Sequence, residues 1–279
     1  MPIAFTCPHC GLETTVADER AGQSEACSRC GKTVTISGTP LPPRPASKVP
    51  ILLFVLAVAL MVALLIPATY TPHMAARRAI CQNNLKQIGL ALLNYEAANG
   101  AFPPAVFTDA HGKPMKSWRV ALLPYCEQRP LYEHYDLSQP WDSPQNRALG
   151  KTSVPSFQCP SDPDTTADTA ETNYVRVVGK DTVGGMPNEA VKISDITDGT
   201  STTIMVVEVS GLHINWEEPR DVTVEQFMDL VAKGRASHHS GGFQAAFADG
   251  SVHFISYNVA PKTLRALLLR NDGQSVGEF

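Results

Sequence analysis

Residues 74–100 read MAARRAICQNNLKQIGLALLNYEAANG, and within them Cys81, Leu85, Ile88, Leu92 and Tyr95 recur at alternating steps of four and three. Steps of that size return to one side of a 3.6-residue helix, so the five side chains form a single apolar stripe. Asn99-Gly100 supplies a helix stop, and Pro103-Pro104 forbids continuation. A helix with one apolar face needs a second layer to cover it, and the later sequence offers strands. Residues 202–209, TTIMVVEV, are apolar and β-branched. Phe243 to Ala248 and Ser251 to Ser256 flank Asp249-Gly250, which predicts a two-residue hairpin turn with both residues at positive φ. Thr223 and Gln226 form a capping-box pattern ahead of Val224, Phe227, Met228 and Val231, so a short helix is expected over 224–233, ended by Gly234. Pro261 opens another, with Leu264, Leu267 and Leu268 on one face. The expected class is α+β, a long N-terminal helix packed on a mostly antiparallel sheet.

Towards the N-terminus, residues 49–66 read VPILLFVLAVALMVALLI without a charged side chain. That length is at the lower edge of what crosses a hydrocarbon core of roughly 30 Å at about 1.5 Å per helical residue. Pro50 stands where a first-turn proline is tolerated. The run follows some fifty residues of unrelated sequence, which does not fit a signal peptide. A single transmembrane helix is therefore expected over 49–67, with residues 68–279 forming one outer domain. Lys32, Arg44 and Lys48 before the span are matched by Arg77, Arg78 and Lys86 after it, so the positive-inside count does not orient it. Residues 39–48, rich in Pro, read as an extended spacer.

Residues 1–38 carry two Cys-x-x-Cys-Gly knuckles, at Cys7, Cys10, Gly11 and at Cys27, Cys30, Gly31, with sixteen residues between them. Four thiolates at such spacing close a tetrahedron around zinc, and adjacent knuckles make poor disulfide geometry, so Cys7, Cys10, Cys27 and Cys30 are the expected ligands of a zinc ribbon. His9 is surplus to that shell. A thiolate site belongs in a reducing compartment, which orients the chain with its N-terminus in the cytoplasm and its C-terminal domain outside the cytoplasmic membrane. Cys81, Cys126 and Cys159 remain outside, enough for one disulfide and one thiol with the pairing left open. The ribbon sets Arg20, Arg29 and Lys32 against Glu13, Asp18, Glu19 and Glu25, and the chain carries a formal net charge of −4. Nucleic acid is therefore not an expected partner, whereas a protein contact is.

Catalytic signatures are sparse. No G-x-S-x-G elbow, P-loop or dinucleotide fingerprint occurs. His238, His239, Asp249 and His253 offer imidazoles and a carboxylate for a metal or acid–base cluster, yet turn chemistry alone accounts for Asp249 and strand alternation decides the face of His253. Ser161-Asp162-Pro163-Asp164 lacks the calcium-loop pattern and reads as a solvated turn. Trp118, Trp141 and Trp216 are candidates for a ligand groove, with core or rim packing the simpler reading. The expectation is a non-enzymatic envelope protein. The alternative is a metal-dependent extracytoplasmic binding protein or hydrolase using the His239 and Asp249 region.

Taken together, ARRAICQNNLKQIGLALLNYEAANGAFPP, SWRVALLPYCEQRPLYEHYD, QPWDSPQNRAL, FQCPSDP, ISDITDGTSTTIMVVE and HHSGGFQAAFADGSVHFIS resemble a large bacterial family of pilin-like, prepilin-type proteins of unknown function. Its members end in a His-x9-Asp-Gly motif, matched by His239, Asp249 and Gly250, and the resemblance runs from residue 64 to the C-terminus. It implies a pilin-like fold with a membrane-embedded helix and an extracytoplasmic sheet, similar to the pseudopilins of type II secretion. Protein partners are expected on both membrane faces, and the resemblance adds a homo-oligomer or pilin-like assembly. The usual prepilin cleavage signal is absent, Lys48-Val49-Pro50-Ile51-Leu52 standing in its place, so the ribbon is expected to stay attached. Because the family places a cysteine in both the CQNNLKQ and CPSDP blocks, the resemblance implies a Cys81–Cys159 disulfide, with Cys126 buried and free.

Overall fold

A computed structural model describes residues 2–37, 49–166, 168–277 and 279, and within the long helix the side chains of 53–62 and 75–99. The expected spacer, 39–48, lies outside the described residues. Two compact units divide the chain, Met1–Ile66 and Pro67–Phe279.

In the first unit, strands β1 (Ile3–Thr6) and β2 (Glu13–Val16) form one antiparallel hairpin, and β3 (Ser24–Ala26) and β4 (Thr33–Thr35) form another. Each hairpin turns through one Cys-x-x-Cys-Gly segment. Phe5, Val34 and Ile36 are buried beside Cys7 and Cys27, a core too small to hold such a fold without a further link.

Helix α1 (Val49–Asn99) takes in the apolar run and the amphipathic segment. Leu53, Phe54, Leu56, Leu60 and Met61 are all more than half exposed. Among the described residues no helix is long and apolar enough to cross a membrane. Of the span expected over 49–67, residues 49–52 and 63–67 have side chains outside the description.

The second unit is α+β. Its main sheet has four antiparallel strands in the order β8-β7-β6-β5, where β5 is Tyr174–Val175, β6 Ile204–Glu208, β7 Gly242–Phe247 and β8 Val252–Ser256. One face carries Tyr174, Val206 and Ala246 against Cys81, Leu85, Ile88 and Leu92 of α1, which are wholly buried, while Tyr95, the last member of the predicted stripe, is half-buried. The other carries Val175, Val207, Ala245 and Phe247 against the helices α2 (Val224–Ala232) and α3 (Pro261–Leu268). With both faces covered, β6 and β7 are buried at every position, which is why their sequences run apolar without alternation. At Gly89 the helix packs directly on the hairpin: a Cβ there would lie 3.6 Å from the Gly250 Cα and 3.8 Å from the Ala246 Cβ, ordinary contact distances. The predicted capping box is present at α2, with Thr223 Oγ1 accepting from Gln226 N and Gln226 Oε1 accepting from Thr223 N. Shorter pairings include one that runs parallel, Val222–Thr223 with Val177–Val178.

The β7–β8 turn departs from expectation. Only Gly250 has positive φ, at 79°; Asp249 does not. Phe247 N donates to Ser251 O at 2.9 Å and Gly250 N to Phe247 O at 2.8 Å, which makes a three-residue loop of Ala248, Asp249 and Gly250. Such a loop is a type I turn closed by a residue in the left-handed region, and Gly250 fills that place. The longer loop leaves two amides free to reach out, Ala248 N to Thr203 O and Asp249 N to Thr200 O.

A disulfide joins Cys81 to Cys159, tying α1 to the loop that precedes β5. Cys126 is free and half-buried, and burial pushes its thiol up to about 12. Beneath the sheet edge lies a polar core the sequence did not announce. Asp221 accepts from Arg119 Nη2 at 2.7 Å, from Trp118 Nε1 and from the Arg176 amide, while Arg119 also donates to the Tyr174 carbonyl. Trp118, Arg119 and Arg176 are fully buried. Burial raises the Asp221 carboxyl against the pull of Arg119, and burial lowers Arg176 to about 10.

Candidate functional site

Each knuckle of the first unit repeats the same local plan. Gly11 N donates to Cys7 O and Cys7 N to Leu12 O; Gly31 N donates to Cys27 O and Cys27 N to Lys32 O. Both glycines sit at φ 71°, a left-handed turn that brings the second cysteine of each pair back over the first. All four sulfurs lie within 4.8 Å of one another, with Cys7 and Cys30 3.9 Å apart and Cys10 and Cys27 3.7 Å apart. A tetrahedron with metal–sulfur bonds of about 2.3 Å has edges of about 3.8 Å, so the spacing suits a cation at the centre. The backbone amides of Cys30 and Arg29 hold the Cys27 thiol down at about 6. Cys10 is pushed the other way, to about 12: the Leu12 amide acts to lower it, but burial and the three neighbouring sulfurs prevail. The Cys7, Cys10, Cys27 and Cys30 cluster can thus hold a metal ion.

The cluster considered around His238, His239, Asp249 and His253 does not assemble. Among the described residues, Asp249 and His253 belong to no group that could hold a metal. Asp249 accepts from the Ser251 amide at 2.8 Å within the turn, and exposed His253 lies edge-on to Phe247. His238 instead stands 3.3 Å from Asp162, which is 3% exposed and also accepts from Asn173 Nδ2 at 2.7 Å. The Ser161–Asp164 turn is therefore anchored through the buried Asp162 carboxylate, while Pro163 and Asp164 are exposed as expected. His239 turns inward, its Nε2 3.1 Å from Glu208 Oε1 and 3.9 Å from Cys159 Sγ. Glu208 ends the apolar strand β6 on the face that meets α1, a place no sequence pattern singled out.

Sequence reasoning also missed a cleft of about 750 Å³ between the short helix Pro144–Leu149 and the strands Glu171–Thr172 and Ile214–Asn215. Trp141, Arg147, Lys151 and Glu217 line it. Trp118 and Trp216 are wholly buried, so Trp141 alone of the three tryptophans reaches this groove. Glu217 is 2% exposed, its Oε2 has no hydrogen-bond partner, and its carboxylate occupies the space beside Gly150, where a Cβ would fall 2.0 Å from Oε1. Loss of solvent raises its carboxyl from 4.5 to about 7, opposed by Arg147 and aided by Asp142.

The profile of one protein family, described as a protein of unknown function (DUF1559), matches residues 73–229 and 231–262. No curated protein and no solved structure matches the chain.

Proposed function

The chain belongs to the DUF1559 family of proteins of unknown function, and from that premise we propose that it is a non-enzymatic, single-span, pilin-like envelope protein with a zinc-bearing interaction module at its N-terminus. The observation that carries the reading is α1. Its described segment 53–62 exposes Leu53, Phe54, Val55 and Leu56, four consecutive positions that encircle the helix, whereas residues 81–92 of the same helix bury one stripe against an antiparallel sheet. An all-round apolar surface calls for lipid and a one-sided stripe for protein. The 3.7–3.9 Å sulfur spacing of the ribbon supports zinc, and a thiolate site supports a cytoplasmic N-terminus with the Pro67–Phe279 unit outside. The ribbon's mixed charge favours a protein partner there, and the outer unit offers its own surface for homo-oligomer or pilin-like assembly. Reporter fusions at residue 40 and after residue 279, combined with membrane fractionation, test the arrangement. The expected result is a membrane-bound chain with the first reporter active only inside the cell and the second only outside. A chain recovered without membrane, or the reverse reporter pattern, overturns it.

A further inference from the structure

We propose that Cys81, Cys159, Glu208 and His239 form a second, redox-gated metal site, closed while the Cys81–Cys159 disulfide stands and able to take one zinc-class divalent cation once a dithiol has reduced it. The four side chains come from separate places in the fold: α1, the loop before β5, the end of β6 and the loop leading into β7. One ligand atom from each lies within 4.8 Å of all the others, and all four residues are buried. Two sulfurs, one imidazole nitrogen and one carboxylate oxygen form the donor set of a tetrahedral zinc-type centre.

The surroundings fit a ligand set better than a simple buried pair. Glu208 is wholly buried, yet its Oε1, 3.1 Å from His239 Nε2, makes no hydrogen bond. A buried carboxylate with an unsatisfied oxygen is costly unless a cation or proton donor completes it. The other oxygen is held by the Gln244 amide at 3.4 Å, and Tyr174 Oη donates to the Cys81 carbonyl at 3.2 Å, contacts of the kind that orient ligands. Ile80, Gln158 and Pro160, the chain neighbours of the two half-cystines, line a cleft of about 430 Å³ beside the buried disulfide.

The chemistry balances. A dithiol gives two electrons and two protons to the disulfide, becoming a disulfide itself and leaving Cys81 and Cys159 as thiols. The cation then displaces both thiol protons and binds two thiolates, the Glu208 carboxylate and neutral His239 through Nε2. Metal and disulfide exclude each other, because the same two sulfurs serve both.

The test uses the full chain in detergent, loaded with zinc while oxidised and freed of excess, so that the ribbon does not compete. It is then reduced with a trialkylphosphine, which takes its oxygen from water, and titrated with cobalt(II). The expected result is about one cobalt per chain, with a thiolate-to-cobalt charge-transfer band that appears only after reduction. Alkylation of two cysteines is expected to be blocked by the bound ion. Glu208→Gln and His239→Gln, which keep shape and polarity, are expected to weaken uptake at least tenfold, and Cys81→Ser with Cys159→Ser to abolish it. Reduced wild-type chain whose two thiols alkylate freely but which takes up no cobalt overturns the proposal, as does a band that survives the double serine substitution. If a glutamine variant fails to fold, the wild-type protection measurement decides alone.

Discussion

Lys86, halfway along the buried part of α1, donates from Nζ to the carbonyl of Gly250 at 2.6 Å, pinning the helix to the turn of the β7–β8 hairpin across 164 residues of chain. The same turn holds the only positive-φ residue of that hairpin loop, so helix position and turn geometry are set together.

Gly250→Val should consequently be among the more damaging single changes in the second unit. Its φ of 79° disfavours a β-branched side chain, and a Cβ would fall 2.9 Å from Leu93 Cδ1. A loss of about 2–3 kcal/mol is expected, against about 1 kcal/mol for Asp249→Ala, which loses one hydrogen bond to Ser251 N. Chemical denaturation of the two variants measures both; equal effects would mean the glycine is not required by the turn.

The ribbon should contain one zinc per chain. Chelation, or Cys27→Ser, is expected to remove the metal and unfold residues 1–37 while the melting transition of the second unit stays in place. Structure in the ribbon that persists in metal-free protein, followed by NMR of its backbone amides, contradicts the assignment.

Asp221→Ala leaves Arg119 buried without its carboxylate, and Arg176 and Trp118 lose an acceptor as well. Breaking a buried pair from one side costs about 3–5 kcal/mol, so the variant is expected to be barely folded at growth temperature. A mild loss on denaturation would show that water reaches Arg119.

Glu217 makes stability depend on pH. Its folded pKa, about 7, exceeds the ordinary 4.5, so the folded chain holds the proton more tightly than the unfolded one. Its contribution is complete below about 4.5 and is lost as pH rises through about 7. Glu217→Gln should therefore melt higher than wild type at pH 8, with the difference shrinking towards pH 5. Parallel melting curves across that range would remove the carboxyl as the cause.

What could be read from sequence was what local pattern controls. The Cys81–Leu92 stripe, the Thr223–Gln226 box and the strand through Ile204–Glu208 are each written within a dozen residues, and each formed as expected. The paired cysteines of the knuckles belong to the same class. The two-residue reading of Asp249-Gly250 failed because loop length depends on which residues pair across it, and Phe247 with Ser251 set that length. Long-range meeting points stayed hidden for the same reason. Glu208 looks like a strand end until His239 and Cys159 arrive beside it; Asp162 looks solvated until Asn173 and His238 close on it. Asp221 and Glu217 sit in unpatterned loops, where nothing local distinguishes a buried carboxylate from a wet one.

The equivalence of the two knuckles has one more consequence. Each hairpin brings two of the four sulfurs, and the apolar residues beside them number only a handful. On the proposed zinc-bearing reading neither half grips a cation by itself, so assembly of the ribbon would be all-or-none, with the ion less a passenger than the clasp between two halves. A cell that ran short of the ion would find this module absent rather than weakened, and any partner that reads it would be reporting metal supply.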